Sequence, residues 1–402
     1  MVKRGLFSLF CSKPSLFEGV SAPRWGEFVT ANHHLHLPSG CLCLNLLEAQ
    51  KPLLEALLHI GLRQNPKRGF LLISRILGKH LPVQPRQMLE SYRLLASQLS
   101  NATTTFIGMA ETATALGQGV FEAYAERQPS DVRYISTTRY PLDFPTLTFE
   151  ETHSHAPSHY LHLTPENKAF FLKTTRLVLV DDEISTGQTL LRLARVFSQF
   201  APKLEQIDLV SLTDFLGTQR QAVLAQFPVP THSVALLKAG LEFVPDPKWR
   251  VCLPSSQPPL PHTAPHGLAR VGCAPQGFVL PHINALANKI AAREKAVQVL
   301  GTGEFQFEPF LLALALEQLG IEVYFRATTR SPILEHGVIQ QRLEFLDNYE
   351  QGLTNYLYNH LMLAHMPTIV CTETPNFGFL PPEIGMVYYC DFTKLPLKLV
   401  EA

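Results

Sequence analysis

A short run of acids and hydroxyls follows the apolar segment 177–180 and carries the groups most suited to chemistry in this sequence. Its members are Asp181, Asp182, Glu183, Ser185, Thr186, Gly187, Gln188 and Thr189. Hydroxyls and backbone N–H groups at the start of a helix form a cradle for an anion such as a phosphate, and glycine lets the backbone approach it closely. The carboxylates would repel that anion, so we expect Asp181 and Asp182 to face ribose hydroxyls or a divalent cation. The run therefore predicts a site for a sugar phosphate.

The elements around this run decide between a ligand site and a simpler interpretation. A solvated strand end followed by an ordinary helix N-cap would use the same residue types. However, a helical pattern follows at 190–197, and further strands are predicted at 104–107, 132–136 and 207–212. Strands that alternate with helices predict a parallel sheet covered on both faces, and ligands of such sheets lie at the carboxyl ends of the strands. The acidic run stands at such an end, which favours the ligand site.

The order of elements recurs in the second half of the sequence. A strand at 297–300 precedes a Gly-Thr-Gly-Glu segment, and a strand at 323–325 leads to Thr-Thr-Arg-Ser-Pro at 328–332. The segment 137–141 carries the matching Thr-Thr-Arg-Tyr-Pro at a similar distance from its own glycine, which predicts a duplicated α/β unit. Cys-Thr-Glu-Thr-Pro at 371–375 stands where a second acidic run should be. We therefore expect the second unit not to bind the same ligand in the same way.

Length and composition narrow the class of protein. The 402 residues are enough for two or three domains, and a proline-rich segment divides them. We predict an N-terminal extension at 1–29, a first domain at 30–252, a linker at 253–270 and a second domain at 271–402. Basic and acidic residues number 34 each, which argues against nucleic acid or an anionic membrane as a partner.

Targeting and redox features predict a cytoplasmic protein. The 7 cysteines are odd in number and scattered, which argues against a disulfide framework and for a reducing compartment. The start of the chain has no small-residue cleavage site, and no segment approaches the roughly 18 uninterrupted apolar residues of a membrane span.

The residues 177–189 resemble the phosphoribosyl-pyrophosphate loop of type I phosphoribosyltransferases. The wider sequence resembles the phosphoribosyltransferase proteins of bacterial tellurite-resistance (stress-response) gene clusters. Those proteins are orotate phosphoribosyltransferase-like and end in a domain named after a Thr-Arg-Ser-Pro motif, which 329–332 matches; 65–70 and 78–82 also carry the likeness. The resemblance implies a Rossmann-like parallel-sheet phosphoribosyltransferase domain followed by a second, degenerate α/β domain related to it.

The resemblance also implies an activity and roles for residues. The activity is Mg²⁺-dependent transfer between phosphoribosyl pyrophosphate and a base-like acceptor, giving a nucleotide-like product and pyrophosphate, or the reverse. Asp181 and Asp182 would hold the ribose hydroxyls and Mg²⁺, one of them steadying the departing group, and 185–189 would hold the 5′-phosphate. Three residues stand where the family's pyrophosphate-binding loop follows the first sheet strand, a loop that often contains a non-proline cis peptide. They are Ala110, Glu111 and Thr112.

Glu111 departs from the family pattern, because an acid beside pyrophosphate needs Mg²⁺ or a basic neighbour between them. The segment 139–162 could supply cations and a mobile lid, with Arg139 as a catalytic candidate. Arg139 and Arg330 could each form a guanidinium fork for phosphate, or each could pair with an acid in a turn. Glu304 could be no more than a cap between strand and helix.

Two further groups of basic residues leave alternatives open. His153, His155 and His159, with His162 beyond, could bind zinc, donate to pyrophosphate or a base, or belong to a solvated loop. A basic stretch precedes Pro82 and could line the pocket, although a solvated helix face is slightly favoured. Its members are Lys67, Arg68, Arg75, Lys79 and His80.

Two rival functions are compatible with the same sequence. The chain could be a non-catalytic sensor of phosphoribosyl pyrophosphate or a nucleotide in a stress-response pathway. It could also be a scaffold whose degenerate unit docks other enzymes. A homodimer is compatible with either interpretation and with the enzyme.

Overall fold

The computed structural model describes residues 30–65, 68–127, 131–150, 158–251 and 268–401. The first unit contains the strands β1 (Thr30–Leu37), β2 (Gly40–Leu47), β3 (Leu58–Arg63), β4 (Phe70–Ser74), β5 (Thr104–Gly108), β6 (Val132–Ser136), β7 (Thr146–Glu150), β8 (Ser158–His162), β9 (Arg176–Ile184), β10 (Gln206–Asp214), β11 (Thr231–Lys238) and β12 (Gly240–Pro245). Its helices are α1 (Lys51–Leu57), α2 (Pro85–Ala96), α3 (Thr114–Arg127), α4 (Pro165–Phe171), α5 (Gln188–Ser198) and α6 (Arg220–Leu224).

The second unit follows the predicted linker, most of which lies outside the described residues. Its helices are α7 (Leu268–Val271), α8 (Pro281–Ala291) and α9 (Phe307–Gln318). Its strands are β13 (Ala296–Gly301), β14 (Glu322–Ala327), β15 (Ile333–Leu334), β16 (Arg342–Leu346), β17 (Thr354–Tyr358), β18 (Thr368–Thr372), β19 (Val387–Asp391) and β20 (Leu399–Glu401). Within the described ranges, every helix is too short or too polar to cross a lipid bilayer.

The main sheet of the first unit has the strand order β11-β10-β9-β5-β6, and each neighbouring pair is parallel. Its central strand β9 is fully buried from Leu177 to Val180, as expected for a parallel strand covered on both faces. Helix α5 buries its predicted apolar face, including Leu190, Leu193 and Phe197. This sheet confirms the predicted α/β class and brings the carboxyl ends of β5, β6 and β9 to one edge.

The main sheet of the second unit has the order β14-β13-β18-β19-β20. Strands β13, β14, β18 and β19 are parallel and occupy the positions that β5, β6, β9 and β10 occupy in the first unit. The edge strand β20 is antiparallel, whereas β11 is parallel. A hairpin also recurs, because Thr138 bridges to Tyr160 in β8 and Thr329 bridges to Tyr356 in β17. The predicted duplication is therefore present in the topology.

The two units share one hydrophobic core. Helix α9 of the second unit packs on α2 and α3 of the first, where the rings of Tyr92 and Phe310 lie 5.3 Å apart. Val83 forms a β-bridge with Phe325 of β14. Strand β15, directly after the Thr-Arg-Ser-Pro motif, pairs with β3 and extends the small sheet β15-β3-β4. The motif is therefore held against the first unit by backbone hydrogen bonds.

Candidate active site

A pocket opens at the carboxyl ends of β5, β6 and β9, and β3, β4 and the segment 328–332 contribute further walls. The predicted site residues that the structure describes all line this pocket. They are Ala110, Glu111, Thr112, Arg139, Asp181, Asp182, Glu183, Ser185, Thr186, Gly187, Gln188 and Thr189. His153 and His155, also predicted to bind substrate, lie outside the described residues.

The acidic run belongs to a strand rather than to a loop. Strand β9 continues through the acids to Ile184, because the long neighbour β10 keeps pairing with it as far as Asp214. The backbone N–H of Asp182 donates to Oδ1 of Asp181 at 3.0 Å. The carboxylates are therefore fixed on a rigid element at the edge of the pocket, a better platform for orienting a ligand than a loop.

Glu183 and Asp182 of this strand differ in their electrostatic surroundings. Nη2 of Arg68 lies 2.5 Å from Oε1 of Glu183, so Glu183 has a cationic partner. Burial, followed by the charge of Glu183, raises the pKa of Asp182 to about 7. A cation or a set of hydroxyl donors placed beside Asp182 would stabilise its charged form.

The turn after β9 leads directly into α5. Gly187 has φ 70°, a left-handed conformation that other residues rarely adopt, and a Cβ there would lie 3.1 Å from Cγ1 of Val223. The carbonyl of Gly187 accepts the first helical hydrogen bond from the N–H of Leu191 at 2.9 Å. The hydroxyl-bearing turn therefore stands at the positive end of a helix dipole, facing the pocket.

The loop after β5 supplies the opposite wall. The peptide bond between Ala110 and Glu111 is cis. The N–H of Ala110 donates to Oγ1 of Thr137 at 2.8 Å, and the N–H of Met109 donates to the carbonyl of Val180 at 2.9 Å. The loop is thus tied to β9 and to the residue that follows β6.

Glu111 has the basic neighbours that its position was predicted to need. Nζ of Lys79 lies 2.6 Å from its Oε1, and the side chain of Lys79 is 1% exposed. Nε of Arg330 lies 3.9 Å from Oε2. Burial alone would raise the pKa of Glu111, but Lys79 and Arg330 hold it below its usual value. Glu111 is therefore an ionised, charge-matched part of the wall.

The interpretation of the basic stretch as a solvated helix face is wrong. The chain forms bends there rather than a helix, and Gly78 at φ 70° turns it so that Lys79 and His80 are buried. Burial and the neighbouring Lys79 lower the pKa of His80 to about 3, so its imidazole is neutral. Arg68 and His80 line the pocket; Arg75 is exposed, and Lys67 lies outside the described residues. The glycine and the following proline are the signals that could have predicted the turn.

The two described histidines of the His-rich segment have different positions. His159 lines the pocket and stacks on Phe149 with the ring centroids 5.0 Å apart. His162 is buried, with Nε2 3.1 Å from the carbonyl of Tyr140 and Nδ1 3.0 Å from Oγ1 of Thr146. Across the described ranges, no cluster of three or more His, Cys, Asp or Glu side chains is arranged to hold a metal ion.

Several pocket residues were missed or undervalued by the sequence analysis. Arg63, Leu71 and Leu72 come from β3 and β4, and Thr329, Arg330 and Ser331 come from the second unit. No motif marks the first group, because its members are ordinary strand residues brought over the pocket by the small sheet. Glu304, interpreted as a cap, is instead a buried acceptor for the hydroxyl of Thr138 and the backbone N–H of Arg139.

Two family descriptions match the chain. Residues 57–240 match the family described as "Phosphoribosyl transferase", and residues 263–376 match the "TRSP domain C terminus to PRTase_2". No curated protein matches the chain.

Solved structures of phosphoribosyltransferases are similar to part of the chain. One from Giardia lamblia, an adenine phosphoribosyltransferase complexed with 9-deazaadenine, is 19% identical and aligns over 46% of this chain and 95% of its own, with a TM-score of 0.31. Orotate phosphoribosyltransferase from Mycobacterium tuberculosis is 14% identical over 46% of this chain and 92% of its own, with a TM-score of 0.29. An adenine phosphoribosyltransferase from Trypanosoma brucei is 18% identical over 38% of this chain, with a TM-score of 0.28. The chain spans only 65% of the length of that protein.

Proposed function

We propose that this chain, a pentosyltransferase with a phosphoribosyltransferase domain at 57–240 and a TRSP domain at 263–376, transfers a 5-phosphoribosyl group between pyrophosphate and a base-like acceptor. In one direction the substrates are phosphoribosyl pyrophosphate and the acceptor, and the products are a nucleotide-like compound and pyrophosphate. The residues permit the reverse direction equally, because the same groups contact both sets of ligands.

The strand end and the following turn hold the two ends of the ribose 5-phosphate. The carboxylates of Asp181 and Asp182 accept hydrogen bonds from the ribose hydroxyls, which favours the charged form of Asp182. The hydroxyls and backbone N–H groups of 185–189 bind the 5′-phosphate at the start of α5. These contacts fix the anomeric carbon between the turn and the loop at 110–112.

The transfer itself replaces one bond to the anomeric carbon by another. A nitrogen lone pair of the acceptor forms the new C–N bond, the C–O bond to pyrophosphate breaks, and its electron pair leaves with the pyrophosphate oxygen. Positive charge develops on the ribose ring and negative charge on the leaving group. In this proposal Arg139, which lines the pocket together with the 110–112 loop, stabilises that negative charge. Asp181 or Asp182 stabilises the positive ring.

The acids also fit a magnesium ion. Mg²⁺ is commonly held by one or two carboxylates together with substrate phosphate oxygens and water, so Asp181 and Asp182 suffice on the protein side. Desolvation raises the pKa of the half-buried Asp182 carboxylate, whose charge a cation would match. The metal would supply neutralisation of the pyrophosphate charge.

One observation carries this proposal: the carboxylates at the end of β9 and the hydroxyl-rich start of α5 share a pocket with the loop after β5. The test is to titrate phosphoribosyl pyrophosphate with Mg²⁺ into the full chain and into the Asp181→Asn/Asp182→Asn variant by calorimetry. We expect the double variant to bind at least tenfold more weakly. Glu205→Gln, which changes an exposed acid of the first unit outside the pocket, serves as the control and should bind as the wild type does.

Turnover is measured in parallel. Pyrophosphate release across a panel of nitrogen heterocycles should identify at least one acceptor for the wild type and none for the double variant. Undiminished binding by the double variant would overturn the assignment of the acids. Tight binding by the wild type with no pyrophosphate release for any heterocycle would favour a sensor over an enzyme.

A further inference from the structure

The Thr-Thr-Arg segments of the two units occupy equivalent positions on their sheets. In each unit the backbone N–H of the first threonine donates to the carbonyl of the glycine that ends β5 or β13. The hydroxyl of the same threonine accepts from a backbone N–H of the loop that follows β5 or β13. The pairs are Thr137 to Gly108 at 2.9 Å and Ala110 to Thr137 at 2.8 Å, and Thr328 to Gly301 at 3.0 Å and Gly303 to Thr328 at 2.9 Å. The arginines after these threonines therefore leave their sheets at corresponding points.

Each segment contacts a glutamate of the opposite unit. Glu304 of the second unit accepts from Oγ1 of Thr138 at 2.6 Å and from the N–H of Arg139 at 2.7 Å. Reciprocally, Oε1 of Glu111 of the first unit lies 3.4 Å from the backbone N of Arg330. The two units therefore face each other like the subunits of a dimer within one chain. The Thr-Thr-Arg segment of each unit contacts the loop after β5 or β13 of the other.

The two units differ, however, at the place where a ligand would bind. In the second unit, Arg270 donates to both oxygens of Glu373 at 2.8 and 2.7 Å. The side chain of Arg270 therefore occupies the space beside the segment 371–375, which corresponds to the acidic run of the first unit. The pocket of the first unit is lined by its own Arg139 and by Arg330 of the second unit, together with the acids of β9. Both arginine segments thus serve one pocket rather than two.

Arg330 is held in position by its neighbours. Nη2 donates to the hydroxyl of Tyr140 at 2.5 Å and to Oε1 of Gln351 at 3.1 Å, and the guanidinium lies 5.0 Å from the centre of the Tyr140 ring. Its other terminal nitrogen, Nη1, donates to none of the described residues. The guanidinium is therefore preorganised, with donors left for a ligand, beside the loop at 110–112.

The charges at this end of the pocket suit a polyanion. Lys79, Arg330 and Arg139 act together on the single carboxylate of Glu111. We propose that Arg330 of the second unit binds the pyrophosphate group together with Arg139, so that the TRSP segment completes the active site of the first unit. This inference rests on the proposed function, because it assigns the leaving-group end of the same pocket.

The test compares two probes, inorganic pyrophosphate with Mg²⁺ and ribose 5-phosphate, titrated into full-length Arg330→Gln. We expect the dissociation constant for pyrophosphate to rise at least tenfold and that for ribose 5-phosphate to stay within twofold. Arg342→Gln is the matched control, because Arg342 pairs with Glu344 on β16 outside the pocket. It should leave both constants unchanged.

Two further variants guard against a loss of folding. Arg330→Lys keeps one positive charge and should weaken pyrophosphate binding less than Arg330→Gln. Tyr140→Phe removes the hydroxyl that accepts the hydrogen bond from Nη2 of Arg330 and should weaken pyrophosphate binding several-fold. Unchanged pyrophosphate binding in folded Arg330→Gln would overturn the inference, as would equal losses for both probes. Binding of neither probe by the wild type would instead refute the proposed function, and the inference with it.

Discussion

Nζ of Lys79 lies 2.6 Å from Oε1 of Glu111, and the two side chains are 1% and 12% exposed. Burial lowers the pKa of Lys79 while Glu111 opposes that shift, and Lys79 in turn helps to keep Glu111 ionised. Each charge is thus matched by the other inside the protein. The pair joins the turn at Gly78 to the loop beneath the proposed pyrophosphate site, and Nζ also donates to the carbonyl of Gly303 in the second unit at 2.9 Å.

Removal of one partner of this pair should be costly, because it leaves the other charge buried and unmatched. We expect Lys79→Met to lower the free energy of unfolding by about 3 kcal/mol and Glu111→Gln in that background to recover a part of the loss. Urea denaturation of the single and double variants measures the coupling. The exposed pair Arg93 and Glu126, 3.2 Å apart, is the control and should show a coupling of at most about 1 kcal/mol. Equal couplings for the two pairs would contradict the buried ion pair.

The second unit should not provide a second ligand site. Arg270 and Glu373 form a buried bidentate pair where the first unit has its acids, and Glu304 receives a further hydrogen bond from Arg270 at 2.9 Å. Calorimetric titration of phosphoribosyl pyrophosphate should therefore give a stoichiometry of one per chain. Glu373→Gln should leave that stoichiometry at one, whereas a value near two for the wild type would refute the closed second site.

The glycine of the phosphate turn allows a test of local geometry. Gly187→Ala places a Cβ 3.1 Å from Val223 at a φ of 70°, so the backbone must move away from the phosphate. We expect the dissociation constant for ribose 5-phosphate to rise about tenfold and stability to fall by about 1–2 kcal/mol. Gly320→Ala, at φ 83° with no atom within 4 Å of its Cβ, carries the same backbone penalty away from the pocket. Its ribose 5-phosphate binding should equal that of the wild type.

The sequence predicted the parts of the site that lie within continuous segments. The acidic run, the hydroxyl turn and the loop after β5 each follow one strand, and parallel pairing of β5 with β9 is enough to bring them together. Local pattern also predicted the duplication, because Thr-Thr-Arg-X-Pro recurs at a similar interval. The predicted end of β9 was too early. Its last residues are charged and do not look like a strand, but pairing with β10 keeps them in the sheet.

Contacts between distant segments could not be predicted in this way. Lys79 looked like part of a solvated basic stretch, and only the fold shows that its charge is buried against Glu111. For Arg330 the sequence left open a fork for phosphate or a turn arginine paired with an acid, and only the fold shows that β15 pairs with β3 and fixes the motif at the pocket. The ion pair of Lys79 with Glu111 and the pairing of β15 with β3 both depend on tertiary packing. Neither the hydrophobic periodicity of a segment nor a short motif predicts such packing.

Two glutamates, the buried Glu122 and the half-buried Glu308, should make stability depend on pH. Burial raises the pKa of both Glu122 and Glu308 to about 7, from an ordinary value of 4.5. Between these values the folded protein keeps protons that the unfolded chain releases. Stability from these groups is therefore present at pH 4.5 and is lost as the pH rises toward 7, by at most about 1.4 kcal/mol per pH unit for each group.

Glu122→Gln tests this dependence with little change in packing. Oε2 of Glu122 accepts from the N–H of Gly277 at 2.8 Å, and the glutamine carbonyl can accept the same bond without ionising. We expect the drop in unfolding free energy between pH 5 and pH 7, measured by urea denaturation, to be smaller in Glu122→Gln than in the wild type. Glu205→Gln, which changes an exposed acid, should keep the wild-type drop. An identical pH dependence in all three proteins would show that Glu122 ionises as readily in the folded chain as in the unfolded one.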